Sequence, residues 1–266
     1  MNYKHTYLLS ISFLGFRLHG WQKQPNLKTV HFVLDKTLKF VLEKTRFKTV
    51  GVGRTDAKVS ANCYPAQLFV DEIVNLEEFL WKFNQNSPAD LKLLSVRKIK
   101  DTFFNIIQHP KIKEYHYQFS NQGKNHPFCA PIITGYSNLN IALMKEAAQI
   151  FEGTHYLGAY CSKPSEETKL IRTINYCQII EINSDLGKYF PKTYFILKVR
   201  GKGFLRYQIR LMMGALIQLG KGEITLEQIV DSLKEKKDRQ IMTSIAPGSG
   251  LILNSVEFQD LDKILE

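Results

Sequence analysis

Arg54-Thr55-Asp56 puts a cation, a hydroxyl and a carboxylate side by side, next to the flexible Gly51 and Gly53. The grouping suggests a reactive centre focused on Asp56. The plainer alternative is a turn in which Asp56 bonds backbone amides and Arg54 meets solvent, the commoner use of an isolated triplet of this kind. Arg206 and Arg210 stand four residues apart in a stretch, residues 204–219, whose periodicity is helical. Such spacing puts them on one helix face, where they act as a pair or simply form a solvated basic stripe opposite Leu205, Ile209, Met212 and Leu216. Tyr115 sits in the alternating segment Lys113-Glu114-Tyr115-His116-Tyr117, where an aromatic is most often core; Tyr117 shares its strand parity.

The formal charge of +11 favours polyanionic partners, because each phosphate neutralised by Lys or Arg releases condensed counterions. Nucleic acid is therefore the leading partner class, although many basic proteins bind none. Apolar residues at 44% and charged residues at 23% exclude extensive disorder and allow a sizeable core. No apolar run approaches the roughly 20 residues that span a bilayer, and the first ten residues lack a signal peptide's apolar stretch, so a cytoplasmic location with no membrane association is expected. Cys63, Cys129, Cys161 and Cys177 are scattered without a CxxC pair, which suits reduced, mostly buried thiols. The seven histidines form no HExxH pattern. Although His109 and His116 could meet other ligands in space, no metal is expected.

The elements that must position these groups alternate along the chain. Residues 7–13 read as a first strand, followed by a helix that Thr29 caps and that buries Val30, Val33, Leu34, Val41 and Leu42 while Lys36, Lys39 and Lys44 face water. Residues 47–52 and 67–70 read as paired strands with Asp56 on their connection. Asn75 and Glu78 form a capping-box pattern before another helix, and residues 93–99 are extended. The second half carries strands at 114–120, 173–182 and 194–199. Its helices are expected at 141–151, 204–219 and 225–233, the last opened by Thr225 and Gln228. Residues 183–192 are polar, contain Gly187 and Pro191, and read as a hairpin loop. The class is α+β, with largely antiparallel sheets backed by helices and a boundary near residues 100–110.

The segment Gly53-Arg54-Thr55-Asp56-Ala57-Lys58-Val59-Ser60-Ala61 closely resembles the active-site segment of the tRNA pseudouridine synthase A family. Gly20-Trp21-Gln22-Lys23-Gln24 with Thr29-Val30 is similar to that family's amino-terminal pattern. Arg172-Thr173-Ile174, the stretch from Gly201 to Arg210, Asp238-Arg239 and Gly250-Leu251-Ile252-Leu253 then follow in the family's order. Any one fragment arises by chance; the joint order over most of the chain is highly specific.

The resemblance implies two similar halves about a central active-site cleft, residues 1–104 carrying the catalytic aspartate and 105–266 carrying the tyrosine and arginine. It implies isomerisation of uridine to pseudouridine in the anticodon arm of tRNA, without metal or organic cofactor, by a homodimer in which one tRNA meets both subunits. Asp56 matches the catalytic aspartate, whose carboxylate forms a transient covalent bond or stabilises a sugar cation. Tyr115 matches a tyrosine that stacks on the target base and helps remove its C5 proton. Arg210 matches an arginine whose guanidinium favours the ionised carboxylate. Arg54, Thr55, Lys58 and Arg206 are the remaining candidates for holding RNA. Four departures stand out: Lys58 replaces a usual glycine, Ser60 a usual histidine, Ile107 the arginine of an FHAR segment, and Phe13-Leu14-Gly15 a Tyr-Asp-Gly. They keep open a synthase acting on another RNA; a non-catalytic RNA-binding paralogue or chaperone is the remaining alternative.

Overall fold

The computed structural model describes residues 3–72, 75–185, 187–235 and 242–266. The chain divides into two compact units, Met1–Lys111 with Leu253–Glu266, and Ile112–Ile252.

The first unit opens with β1 (His5–Phe13), whose Leu9, Ile11 and Phe13 alternate into the core. Helix α1 (Val30–Val41) follows, with the Thr29 hydroxyl accepting the Phe32 N–H at 3.3 Å. Its buried stripe is Val30, Val33, Leu34 and Leu38, while Lys36, Lys39 and Lys44 are exposed as expected. Val41 and Leu42, expected in that stripe, are only half-buried at the helix end. Strand β2 (Phe47–Gly51) pairs antiparallel with β3 (Ser60–Val70), and β3 also pairs with β1. Asn75 caps α2 (Leu76–Asn86) by accepting the Glu78 N–H, and β4 (Leu91–Lys98) returns antiparallel to β1.

In the second unit β5 (Lys111–Ser120) takes β6 (Thr134–Gly135) as a short parallel neighbour. Asn140 caps α3 (Ile141–Ile150), which leads to β7 (Gly153–Tyr156), β8 (Ile171–Asn183) and β9 (Thr193–Gly201). The long strands run antiparallel in the order β5-β9-β8-β7, and the β8–β9 connection is the hairpin loop that its composition predicts. Helix α4 (Gln208–Gly220) is buried on nearly every side, and α5 (Leu226–Ser232) starts from a complete Thr225–Gln228 capping box. Strand β10 (Leu251–Phe258) then returns the chain to the first unit beside β3, before the short α6 (Leu261–Ile264). The architecture is α+β with a mostly antiparallel sheet, the pseudouridine synthase fold. Among the described residues no helix is long and apolar enough to cross a membrane.

Candidate active site

Asp56 lies on the connection from β2 to β3, and the residues around it explain why this loop has one shape. The Trp21 N–H donates to the Thr55 carbonyl at 3.2 Å, and the Lys58 N–H donates to the Leu18 carbonyl at 3.0 Å. The segment before α1 thus grips the loop on both sides of Asp56. Gly20 makes this approach possible: its φ is +78°, and a β-carbon there would lie 2.4 Å from the Thr55 carbonyl oxygen. Ser60 adds a further tie, its Oγ accepting the Gly15 N–H at 2.9 Å. Beneath the loop the Trp21 ring stacks between Tyr64, at a centroid distance of 4.2 Å, and His31, at 5.0 Å. The Tyr64 hydroxyl donates to the Gly53 carbonyl.

Gly51 is required by the same stack, since a β-carbon there would come within 2.2 Å of the Tyr64 hydroxyl oxygen. Thr49 donates to Asp35 at 2.5 Å, so His31 must donate to Thr49 from Nε2, at 2.8 Å. Burial pushes the His31 imidazole down despite the pull of Asp35, consistent with a neutral ring that stacks. Arg54 is exposed, Thr55 and Asp56 are half-buried. Among the described residues the buried Thr55 hydroxyl oxygen makes no hydrogen bond. Such a group costs about 1–3 kcal/mol until a partner arrives.

The glycine-to-lysine departure at position 58 has a geometric cost. Asp56 to Val59 form a turn closed by the Val59 N–H to the Asp56 carbonyl, at 3.3 Å, and Lys58 occupies its third position with φ +67°. Turns with positive φ there favour glycine, and an L side chain pays about 1–2 kcal/mol for the conformation. The exposed Lys58 ammonium stands 5.8 Å from the centre of the Phe16 ring. We expect Lys58→Gly to hold or slightly raise thermal stability while weakening RNA binding. If Lys58 neutralises one phosphate, the slope of log affinity against log salt falls by roughly 0.7–0.9. Unchanged affinity and slope in a salt titration would show that Lys58 does not meet RNA.

In the second unit Tyr115 stands on β5 opposite Val199, only 9% exposed, with its ring edge-on to Phe204 at 5.4 Å and 90°. Tyr117, on the same face, is fully buried and donates to the Pro247 carbonyl at 3.0 Å; burial raises its hydroxyl well above the usual phenol range. Tyr117 is core. The other face of β5 carries Glu114, buried and paired with Arg200 and Lys198 at 3.2 Å and with His116 at 2.8 Å.

The expected helix at residues 204–219 begins later, at Gln208, so Arg206 and Arg210 do not share a helix face. The cause is Tyr207, whose φ of +62° stops the helical path. The Gln208 side chain then reaches back to accept the Leu205 N–H at 2.8 Å, fixing the turn. The two arginines still converge, because both approach the ring of Tyr207. The guanidinium carbons of Arg206 and Arg210 lie 5.3 and 4.8 Å from its centre. Arg210 Nε also donates to the Ala246 carbonyl at 2.7 Å, and its own carbonyl accepts the Ala246 N–H. Tyr207 and Phe204 are the residues that motif spacing missed; only an aromatic beside each candidate hinted at them.

Ile107, at the arginine position, is 59% exposed, beyond a segment that Gln67 pins through the Phe104 carbonyl and the Ile106 N–H. The Asp238-Arg239 fragment lies outside the described residues. Among those residues no cluster of three or more His, Cys, Asp or Glu side chains is placed to hold a metal.

The chain is similar to known proteins over nearly its whole length. The family model for tRNA pseudouridine synthase matches residues 147–259 and, together with the two relatives below, sets the class as an isomerase. The tRNA pseudouridine synthase A of Pseudothermotoga lettingae is 30% identical over 261 residues, covering 95% of this chain and 99% of the relative. The tRNA pseudouridine synthase A 2 of Bacillus cereus is 30% identical over 256 residues, covering 96% and 100%. The chain belongs to the tRNA pseudouridine synthase A family.

Proposed function

We propose that this enzyme converts uridine to pseudouridine in the anticodon arm of tRNA, with Asp56 as the catalytic carboxylate. The observation that carries the proposal is the Arg54-Thr55-Asp56 loop, held by backbone bonds to Trp21 and Leu18 in a chain of which 95% is covered by a relative of that family. The reaction breaks the glycosidic bond of uridine, turns the base and joins its C5 to the ribose. Asp56 either bonds the sugar transiently or offsets its positive charge, and both routes need an ionised carboxylate on a fixed backbone. Tyr115 stacks on the base and helps remove the C5 proton, and Arg210 supplies a planar cation to the same reaction. Arg54, the Thr55 hydroxyl, Lys58 and Arg206 hold RNA. The uridine leaves its stack to reach these groups, recognition resting on RNA shape and phosphates. We place the working enzyme in the cytoplasm as a homodimer.

The exposed Ile107 favours a second version, a synthase for another RNA, because it stands where the family resemblance implies an arginine. One experiment decides between them. Pseudouridines are mapped across cellular RNA with and without the protein, and the purified protein is given transcribed tRNA. Loss confined to anticodon-arm positions, restored by the purified protein, is the expected result. Loss in other RNA alone selects the second version, and an unchanged map rejects both.

A further inference from the structure

Away from Tyr115 and Arg210, two loops of the second unit build an exposed aromatic cluster. His126 and Phe128 come from the loop after β5, and Tyr189 from the β8–β9 hairpin loop. Their rings form a closed triangle, with centroids 4.8 Å apart for His126–Phe128, 4.7 Å for His126–Tyr189 and 4.9 Å for Phe128–Tyr189. Phe128 is nevertheless 66% exposed and Tyr189 40%. A single exposed ring needs no explanation, but three in contact, supplied by separate loops, make a patch of the kind that marks an interaction site.

The charge around the patch favours one partner. Lys188 stands 5.1 Å from the centre of the Tyr189 ring, and Lys124 and Lys192 are exposed on the same two loops. Among the described residues none of these lysines has an ion-pair partner, and Asp185 is the one acid in the two loops. Flat rings interleaved with unpaired ammonium groups suit unpaired nucleotides, whose bases stack while their phosphates meet the cations. A protein partner would need no such basic rim.

We propose that His126, Phe128 and Tyr189 form a stacking platform for unpaired nucleotides of the RNA substrate, with Lys124, Lys188 and Lys192 holding the adjoining phosphates. The platform rests on the proposal that RNA is the substrate. It takes nucleotides other than the target uridine, because Tyr115 lies five residues before the end of β5 and therefore about 17 Å back along the strand.

The test measures binding of the full-length protein to a tRNA transcript and to an oligouridine strand. Replacing both rings, Phe128→Ala with Tyr189→Ala, is expected to weaken both complexes about fivefold or more. Tyr189→Phe keeps the ring and keeps the affinity. The salt slope is unchanged by the ring variants and falls by roughly 0.7–0.9 in Lys188→Gln. As a readout independent of folding changes, the indole emission of a Phe128→Trp variant, after subtraction of the signal of the unaltered protein's Trp21 and Trp81, should fall when oligouridine binds. A folded double variant that binds both RNAs as tightly as the unaltered protein, or an indole signal unmoved at saturation, overturns the platform and leaves a protein contact or mutual burial as the cluster's role. If the unaltered protein isomerises uridine while the double variant binds normally, the platform alone falls. If the unaltered protein binds no RNA, the proposed function falls with it.

Discussion

Asp56→Asn is expected to lower pseudouridine formation by about a thousandfold or more while folding and tRNA affinity stay largely intact. Asparagine matches aspartate in volume, so the change removes charge and little else. Three backbone bonds hold the loop, from Trp21 to Thr55, from Lys58 to Leu18 and from Val59 to Asp56, and all three persist when the carboxylate becomes an amide. The loop should therefore keep its shape. A neutral amide, however, neither attacks a sugar carbon nor offsets a developing cation, so both routes open to Asp56 close together. Nucleoside chromatography after digestion of the treated tRNA measures the loss, and a binding titration with the same variant measures the affinity. Substantial turnover by the folded variant would remove Asp56 from the chemistry.

The parts of this structure that were legible in the sequence are those set by neighbours in the chain. Thr29, Asn75 and the Thr225–Gln228 pair each cap the helix that their spacing predicts, because capping is a local hydrogen bond between a side chain and an N–H three residues on. The loop around Asp56 was legible as a connection between strands, but not its clamp. That clamp needs Gly20 and Trp21, more than thirty residues earlier, to meet Thr55. Strand β3 was legible only at residues 67–70. Its first part holds Asn62 and Pro65, poor strand formers, and is extended because β1 pairs along it down to Ala61. The start of α4 was misplaced for a different reason: residues 204–207 continue the apolar period, and nothing in a tyrosine announces that Tyr207 will take a positive φ. The corrected start changes the meaning of the arginines, which converge through one aromatic ring and not through a shared helix face.

That correction sharpens the expected contrast between them. Arg210→Lys should cut turnover by about a hundredfold, the loss typical of removing one donor placed for the transition state. Arg206→Lys should cost less than about fivefold, the worth of an exposed cation over a ring. Arg210 already commits Nε to the Ala246 carbonyl at 2.7 Å and lays its plane near Tyr207. Its orientation is thus fixed by one edge, and any bond to a carboxylate or phosphate falls to the terminal nitrogens. Lysine has a single nitrogen. It either keeps the Ala246 carbonyl or reaches the reacting groups, and it has no planar fork to do both. Arg206 is exposed and sits before the helix, so lysine there retains the charge that RNA binding needs. Steady-state kinetics on tRNA separate the two variants, with the Arg210 loss falling mainly in kcat and the Arg206 change in KM. Equal small effects would reduce both arginines to a solvated basic pair and leave the guanidinium without a part in the reaction.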